Sequence, residues 1–444
     1  MQPTQNAILK NNQVILTQGV KTRKDKLMIV ILILVYMTFI GIGMGDPLLG
    51  SGWPSMYGEF GVDVAFAGVL GMFLTSGNIV AAYSSARILH RFGTKFVLPA
   101  SLFLVSMALL GFSFANHFAI LCLLAMMLGF GLGNVDAGGN GFVAMHYSAK
   151  YINWLHCLWA VGATIGPTIM AFGLSSYGTW RVGYRITGTT QMVMVAILLL
   201  TIPLWKRAFA NEGKQRNIQI ERAEEVAEKV EAVEKVEVAE KVGAEEEEKV
   251  GGLKTLLSLP GAPLAVLSFF FIGSLGATVG LWTTTYLVHV REIPRETATS
   301  WLALYFLGIM VARFFTGFLT MRFHSRQLIY FGFCILAAGI VIIGLPFSWS
   351  IQPGLILAGI GLAPLFPNFI HNTPGIFGKS YTRAMIGLQF TVGFFGIFSA
   401  PALFGQIGKL FGYHLFPFYV GFLLVGLTTI TLTLYTRHPD KRLQ

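Results

Sequence analysis

The sequence predicts an all-α membrane protein: twelve transmembrane helices in two pseudo-symmetric six-helix halves. Three observations carry that reading. The 444 residues are 54% hydrophobic and only 12% charged, against about 25% charged in an ordinary soluble domain, and the mean hydropathy is +0.65. The apolar residues gather into runs of the roughly 20 residues that a bilayer-spanning helix needs. Features of the first half recur in the second at an offset of about 230 residues, the mark of an internally repeated membrane fold.

The elements follow in order. Residues 1–26 form a polar, basic tail. It lacks the short apolar region and small-residue cleavage site of a signal peptide, so the first apolar run is expected to stay as a spanning helix. Spans are expected at 27–57, 64–87, 95–115, 118–146, 151–174 and 183–205, forming an N-terminal bundle over 27–206. A charged segment, 207–252, follows. Its stretch "ERAEEVAEKVEAVEKVEVAEKVGAEEEEKV" repeats "EKV" and sets Val226, Val230 and Val233 on one helical face, which reads as a solvated, partly helical cytoplasmic linker. A C-terminal bundle over 253–436 then carries spans at 257–288, 298–321, 327–346, 351–377, 383–407 and 413–436, and 437–444 is a second tail.

The net charge of +11 would suggest nucleic acid in a soluble protein. Here the bases lie in short segments between apolar runs. With both termini in the cytoplasm, Lys21, Arg23, Lys24, Arg87, Arg91, Lys95, Lys150, Lys206, Arg322, Arg326, Lys379 and Arg437 fall inside, and only Arg181, Arg185, Arg291, Arg295 and Lys409 fall outside. That asymmetry orients the chain in a plasma (inner) membrane, and no nucleic-acid partner is expected.

The repeat is legible in detail. "LHRFGTK" (89–95) is matched by "TMRFHSR" (320–326), Gly77 by Gly308, and "GFGLG" (129–133) by "GIGLA" (359–363). Trp53 and Tyr57 match Trp282 and Tyr286, and "GATIGP" (162–167) matches "GIFSAP" (396–401).

Ionisable groups inside spanning helices cost at least about 2.5 kcal/mol at the helix centre, so they face a cavity or a partner. In helix four, Gly129, Gly133, Asp136 and Asn140 share one stripe, with Asn134 adjacent. Glycines at that spacing admit a neighbouring backbone, so Asp136 and Asn140 are expected to face protein or a cavity, as a titratable, solute-binding or structural group. In helix one, "GMGDPLLGSGWPSMY" sets Asp46, Gly50, Trp53 and Tyr57 on one face, with Pro47 and Pro54 expected to kink or interrupt the helix. An acid followed by two aromatics suits a sugar or other polyol. An interfacial aromatic belt is the competing reading for Trp53 and Tyr57.

Helix five opens with "NWLH". Asn153 and His156 share a face, Trp159 lies beside His156, and Gly162 and Gly166 form a second close-approach stripe. The second half is poorer in acids: Leu275 and Phe366 stand where Asp46 and Asp136 would repeat. Arg313 in helix eight reads as a ligand for an anionic or polar solute, a counter-ion for an aspartate, or a structural clamp. Trp282, Tyr286, Asn368, His371 and Gln389 complete the candidates for solute binding.

No enzyme constellation emerges. "GFGLG" follows no strand and lacks a ribose-binding acid, and there is no phosphate loop, zinc motif or nucleophile elbow. Cys122, Cys157 and Cys334 have no metal or disulfide spacing and are expected to pack in the core. No metal or cofactor is expected.

These residues resemble the major facilitator superfamily over essentially the whole chain, with "RFGTK" after helix two similar to a reduced form of its signature loop. The "DPLL" of helix one, the "GLGNVDAGGN" of helix four and the asparagine opening helix five resemble the fucose permease-like branch, which holds the fucose–proton symporter group. The resemblance implies proton coupling and sugar binding at Asp136 and Asp46. The chain departs from that symporter in carrying Asp rather than Glu in helix four, and His156 and Trp159 in place of a Gln and an Asn.

The expected function is secondary active transport: symport of a proton with a sugar or similar small polar solute, by alternating access, in a monomer embedded in the lipid bilayer. Sodium stays open as coupling ion. An exporter or antiporter of amphipathic compounds is the alternative, supported by "GATIGP" and abundant Phe. A non-transporting membrane sensor is a second alternative.

Overall fold

The computed structural model describes residues 26–147, 149–209, 253–320 and 322–437. The central linker from residue 210, and the tails up to residue 25 and from 438, lie outside the described residues. Among the described residues the protein is helical throughout, without a strand. Twelve helices are long and apolar enough to cross a bilayer: α1 Lys26–Phe60, α2 Phe66–Phe92, α3 Thr94–Phe114, α4 Phe118–His146, α5 Tyr151–Tyr177, α6 Trp180–Leu200, α7 Ala262–His289, α8 Arg295–Thr316, α9 Ser325–Gly344, α10 Ser348–Phe377, α11 Ser380–Phe411 and α12 Tyr413–Arg437. Each expected span overlaps one of them. The connection from α5 to α6 is shorter than the sequence reading had it, because Gly178 takes a left-handed φ of 68° and turns the chain at once.

The chain divides into two compact units. One comprises Met1–Tyr36 with Ala196–Lys249, and the other comprises Met37–Val195 with Val250–Gln444. In the first, Ile31, Leu32, Leu34 and Val35 are buried, as are Leu198, Trp205 and Ala208. All the candidate functional residues lie in the second, whose largest fully buried side chains are Trp53, Trp180 and Trp282.

Two spans are broken. α1 leaves helical geometry at Asp46–Pro47 and restarts at Leu48; α10 does so at Ala363–Pro364 and restarts at Leu365. Proline lacks the donor for the preceding turn and clashes with it, so a break at Pro47 follows from the sequence. Pro54 does not break the chain: the segment Leu48–Met56 runs through it and tightens to a 3-10 turn only at Tyr57.

The internal repeat reappears as packing. A Cβ on Gly129 would strike the Leu74 main-chain oxygen, and one on Gly77 would strike that of Met126, so α2 and α4 touch backbone to backbone. In the second half Gly359 meets the Tyr305 oxygen and Gly308 meets that of Ile356. These are the repeat-equivalent positions on α8 and α10. Gly162 and Gly166 likewise seat α5 on Ile40 and Met44 of α1, and Gly396 seats α11 on Phe270 of α7. Small-residue stripes pack spanning helices because, in lipid, van der Waals contact rather than hydrophobic exclusion holds them together.

Candidate functional site

The site begins at the break in α1. Asp46 sits in the turn and is half-buried. Across from it, α4 turns its glycine stripe, Gly129 and Gly133, against Leu74 and Asn78 of α2. The next residues of that stripe pass beyond the contact. Asp136 is exposed and Asn140 is half-buried, and Asn140 Nδ2 donates to Asp136 Oδ1 at 2.9 Å. Asp46 and Asp136 lie within electrostatic reach of each other. The adjacent face of α4 is fixed by Gly139, which accepts the ring of Phe39 from α1. With Phe39 as the common level, Asp46 lies about 6 Å further along the bundle than Asp136, at 1.5 Å per helical residue.

Phe39 joins this acid pair to a second cluster. Its ring meets His156 of α5 edge-on, with centroids 6.1 Å apart. The main-chain oxygen of His156 accepts a hydrogen bond from Arg313 Nη1 of α8 at 3.1 Å. The Arg313 guanidinium stands over the Trp159 ring, 5.3 Å from its centroid, and Trp159 in turn meets Phe306 at 6.2 Å. A turn away, Cys157 Sγ donates to the Met310 oxygen at 3.8 Å. α5 and α8 are thus bonded across the seam between the first six and last six spans.

Further cross-seam contacts gather at one end of the bundle, where α1, α7 and α11 finish. Lys409 Nζ lies 3.7 Å from Asp63 Oδ2. The Tyr57 and His289 rings meet at 5.8 Å, and within the last six spans His289 meets Tyr413 at 6.1 Å. Gly68 abuts Ala402, Gly50 abuts the Gly280 oxygen, and Thr299 Oγ1 donates to the Ser51 oxygen at 2.9 Å. These contacts close the bundle at this end, while Asp136 is exposed.

Comparison with known proteins fits this architecture. The family model of the Major Facilitator Superfamily matches residues 29–401. The chain belongs to the Major Facilitator Superfamily. It is a multi-pass membrane transporter of that superfamily, acting on a small-molecule solute, and not an enzyme. It is 23% identical over 436 residues to Bypass of stop codon protein 6 of Saccharomyces cerevisiae, covering 93% of this chain and 83% of that one. It is 24% identical over 342 residues to the 4-hydroxybenzoate transporter PcaK of Acinetobacter baylyi, covering 72% and 71%. Among solved structures it resembles the nucleoside transporter NupG, with a TM-score of 0.68 at 12% identity over 92% of this chain and 100% of that one. It resembles a D-xylose–proton symporter equally, at 0.68 and 13% identity over 93% and 98%. At such identities the solved structures speak for the fold.

The remaining candidates of this superfamily member are placed away from the acid pair. Asn134 is buried and donates to the Phe130 oxygen of its own helix at 2.9 Å. Trp53 is fully buried with Nε1 donating to the Val64 oxygen at 2.7 Å, and Trp282 is fully buried with Nε1 donating to the Pro401 oxygen at 2.8 Å. The Tyr286 hydroxyl is held by Arg291 Nη1 at 3.2 Å. In this conformation these three aromatics pack into the closed end and are not part of the acid pair's surroundings. Asn368 donates to the Pro364 oxygen at 2.7 Å, and Gln389 Oε1 accepts from Thr373 Oγ1 at 3.2 Å, both within the second six spans. His371 is exposed and shares a hydrogen bond of 3.0 Å with Ser325 at the start of α9. Asn153 is exposed near the start of α5. Leu275 is buried, and the Phe366 ring meets Phe269 edge-on at 5.8 Å and Phe390 at a tilt at 5.5 Å, so where the first half carries acids the second carries an apolar and aromatic core.

Sequence reasoning missed two participants. Phe39 lies on the Asp46 stripe of α1, two turns earlier, and that periodicity was the available signal. Trp159, which the sequence already set beside His156, gives Arg313 its aromatic face. Asp63 lies in a connection, and nothing local marks it as the partner of Lys409.

Proposed function

We infer that this transporter is a proton-coupled symporter of a sugar or similarly small polar solute. It works by alternating access, as a monomer in the plasma (inner) membrane, with both termini in the cytoplasm. The observation that carries this reading is the acid pair. Asp136 is exposed in the middle of a spanning helix, bonded to Asn140, and within electrostatic reach of Asp46. Two carboxylates within reach of each other repel, so a proton taken up by the pair relieves that repulsion and its release restores it. The finer placement in the fucose permease-like branch rests on "DPLL" and "GLGNVDAGGN". The test is uptake into proteoliposomes under an imposed pH gradient. Asp136→Asn should abolish accumulation while sparing counterflow exchange; a variant that loses neither overturns the coupling role.

A second reading, export of amphipathic compounds by proton antiport, has one observation in its favour. An apolar cavity of about 330 Å³ opens at the α5–α8 seam between Cys157, Met310, Val311, Phe314 and Phe315, where an amphipath could enter from lipid. Proton-driven accumulation of amphipathic dyes by inverted vesicles would select this reading over uptake.

A further inference from the structure

We propose that the solute carries a carboxylate, and that Arg313 on α8 is the residue that takes it. This deepens the symport reading above and rests on it only for the coupling ion, not for the binding site.

Arg313 lies in the last turn of α8, three residues before Thr316, and is half-buried. A guanidinium is charged at every physiological pH and presents five N–H donors in a planar fork. One of them, on Nη1, goes to the His156 oxygen. Among the described residues the others have no protein acceptor, and neither Asp46 nor Asp136 forms an ion pair with it. The Trp159 ring covers one face of the plane and fixes its orientation without neutralising it. The titratable groups that bear on Arg313 are Cys157, Tyr305 and His156, none of them an anion in its ordinary state at neutral pH. A permanent cation inside a bilayer span is costly until an anion meets it.

Tyr305 supplies a second, independent observation. It is 1% exposed, lies on the same helix within electrostatic reach of Arg313, and its hydroxyl has no hydrogen-bond partner among the described residues. A buried hydroxyl without a partner carries the full loss of its hydration. It lies about two turns from Arg313 on the same helix, a donor left open to an oxygen-rich group.

Charge and shape select a carboxylate. The free edge of one guanidinium matches the two oxygens of one carboxylate in parallel bonds. A phosphate dianion ordinarily gathers several bases, and one arginine leaves it half neutralised. Phe39 links the two sites: its ring lies against Gly139, three residues from Asp136, and against His156, whose oxygen holds Arg313. The anion's charge and the proton's cancel, so the loaded carrier moves no net charge.

The carboxylate can belong to an aromatic acid or to a sugar acid, and the experiment separates them. Isothermal titration on the purified full-length protein in detergent would compare benzoate with benzyl alcohol, and D-gluconate with D-glucose. One acid should bind at least roughly tenfold more tightly than its neutral counterpart. Arg313→Gln should erase that preference, and Arg313→Lys, which keeps the charge without the fork, should keep part of it. Equal binding of acid and alcohol, an acid preference that survives in Arg313→Gln, or binding of neither acid overturns the proposal. The comparison on the unaltered chain does not depend on the variants folding. If an acid binds through Arg313 yet a pH gradient does not drive its uptake, the coupling reading falls and this assignment stands. If neutral sugar accumulates equally in the unaltered chain and in Arg313→Gln, the reverse holds.

Discussion

Asn140 Nδ2 lies 2.9 Å from Asp136 Oδ1, one turn further along α4. The bond ties the exposed acid to its own helix, beyond the α2 contact that Gly129 and Gly133 make on the same stripe. An amide donor reports the protonation state of its partner, because it bonds better to a charged oxygen than to a neutral one. Asn140→Leu should therefore change the pH dependence of gradient-driven uptake and slow it by about tenfold. Asn134→Leu, which loses only a bond to the Phe130 oxygen, should leave the pH profile in place. Initial uptake rates across external pH would decide; indistinguishable profiles for the unaltered chain and Asn140→Leu would remove Asn140 from the proton site.

The contacts at the closed end must part if the interior opens there during the cycle. Asp63 and Lys409 face each other across the seam at 3.7 Å. Cysteines at both positions, joined by a short bismaleimide in a background lacking Cys122, Cys157 and Cys334, should stop solute exchange. The exposed pair itself contributes about 0.5 kcal/mol at most, so the two cysteines without the linker should leave transport running. Full exchange in the cross-linked protein would show that this end never opens.

Helix packing through glycine makes a sharper prediction. Gly129→Ala drives a methyl group into the Leu74 oxygen, and Gly359→Ala does the same at the repeat-equivalent Tyr305 oxygen. Each should destabilise the fold by about 2 kcal/mol or more, since backbone cannot move aside as a flexible side chain can. Gly141→Ala and Gly387→Ala meet nothing within 4 Å and should be neutral, or stabilising by up to about 1 kcal/mol through helix propensity. Thermal melting in one detergent would rank the four, and equal melting temperatures would contradict the close approach.

Glu59 is the anchor of the α1–α6 corner. Its Oε1 accepts from the Trp180 indole at 2.8 Å and its Oε2 from Arg181 Nη2 at 3.1 Å, while Arg181 Nη1 also reaches the Ser113 and Ala115 oxygens. Glu59→Ala strands the buried Trp180 donor and should cost about 1–2 kcal/mol. The arginine half of the cluster is partly exposed and contributes less. Glu59→Gln keeps an acceptor for Trp180 and should recover most of the loss in the same melt.

Much of the fold was legible from the chain. Asp46–Pro47 announced its own break because proline's missing donor is a property of the residue. The stripes at Gly129 and Gly162 were readable because helical periodicity is local, and the structure puts backbone against both. Trp53, Trp282 and Tyr286 went differently. Their spacing suited a solute face as well as it suited packing, and only the acceptors at Val64 and Pro401 and the donor at Arg291 place them in the closed end.

What the sequence determined by itself is everything that one helix carries alone: twelve apolar spans, their doubling into two similar sets, and the confinement of interior acids to the first. What only the tertiary structure decided is which helix faces meet. It brought Asp46 within reach of Asp136, laid the Phe39 ring on Gly139 and His156, and bonded Arg313 to α5 rather than to an acid. Hydropathy and period follow from a residue's own chemistry and from 3.6 residues per turn. Contacts between helices depend on rotations and depths set by all the packed side chains at once, and no single stretch of chain encodes those.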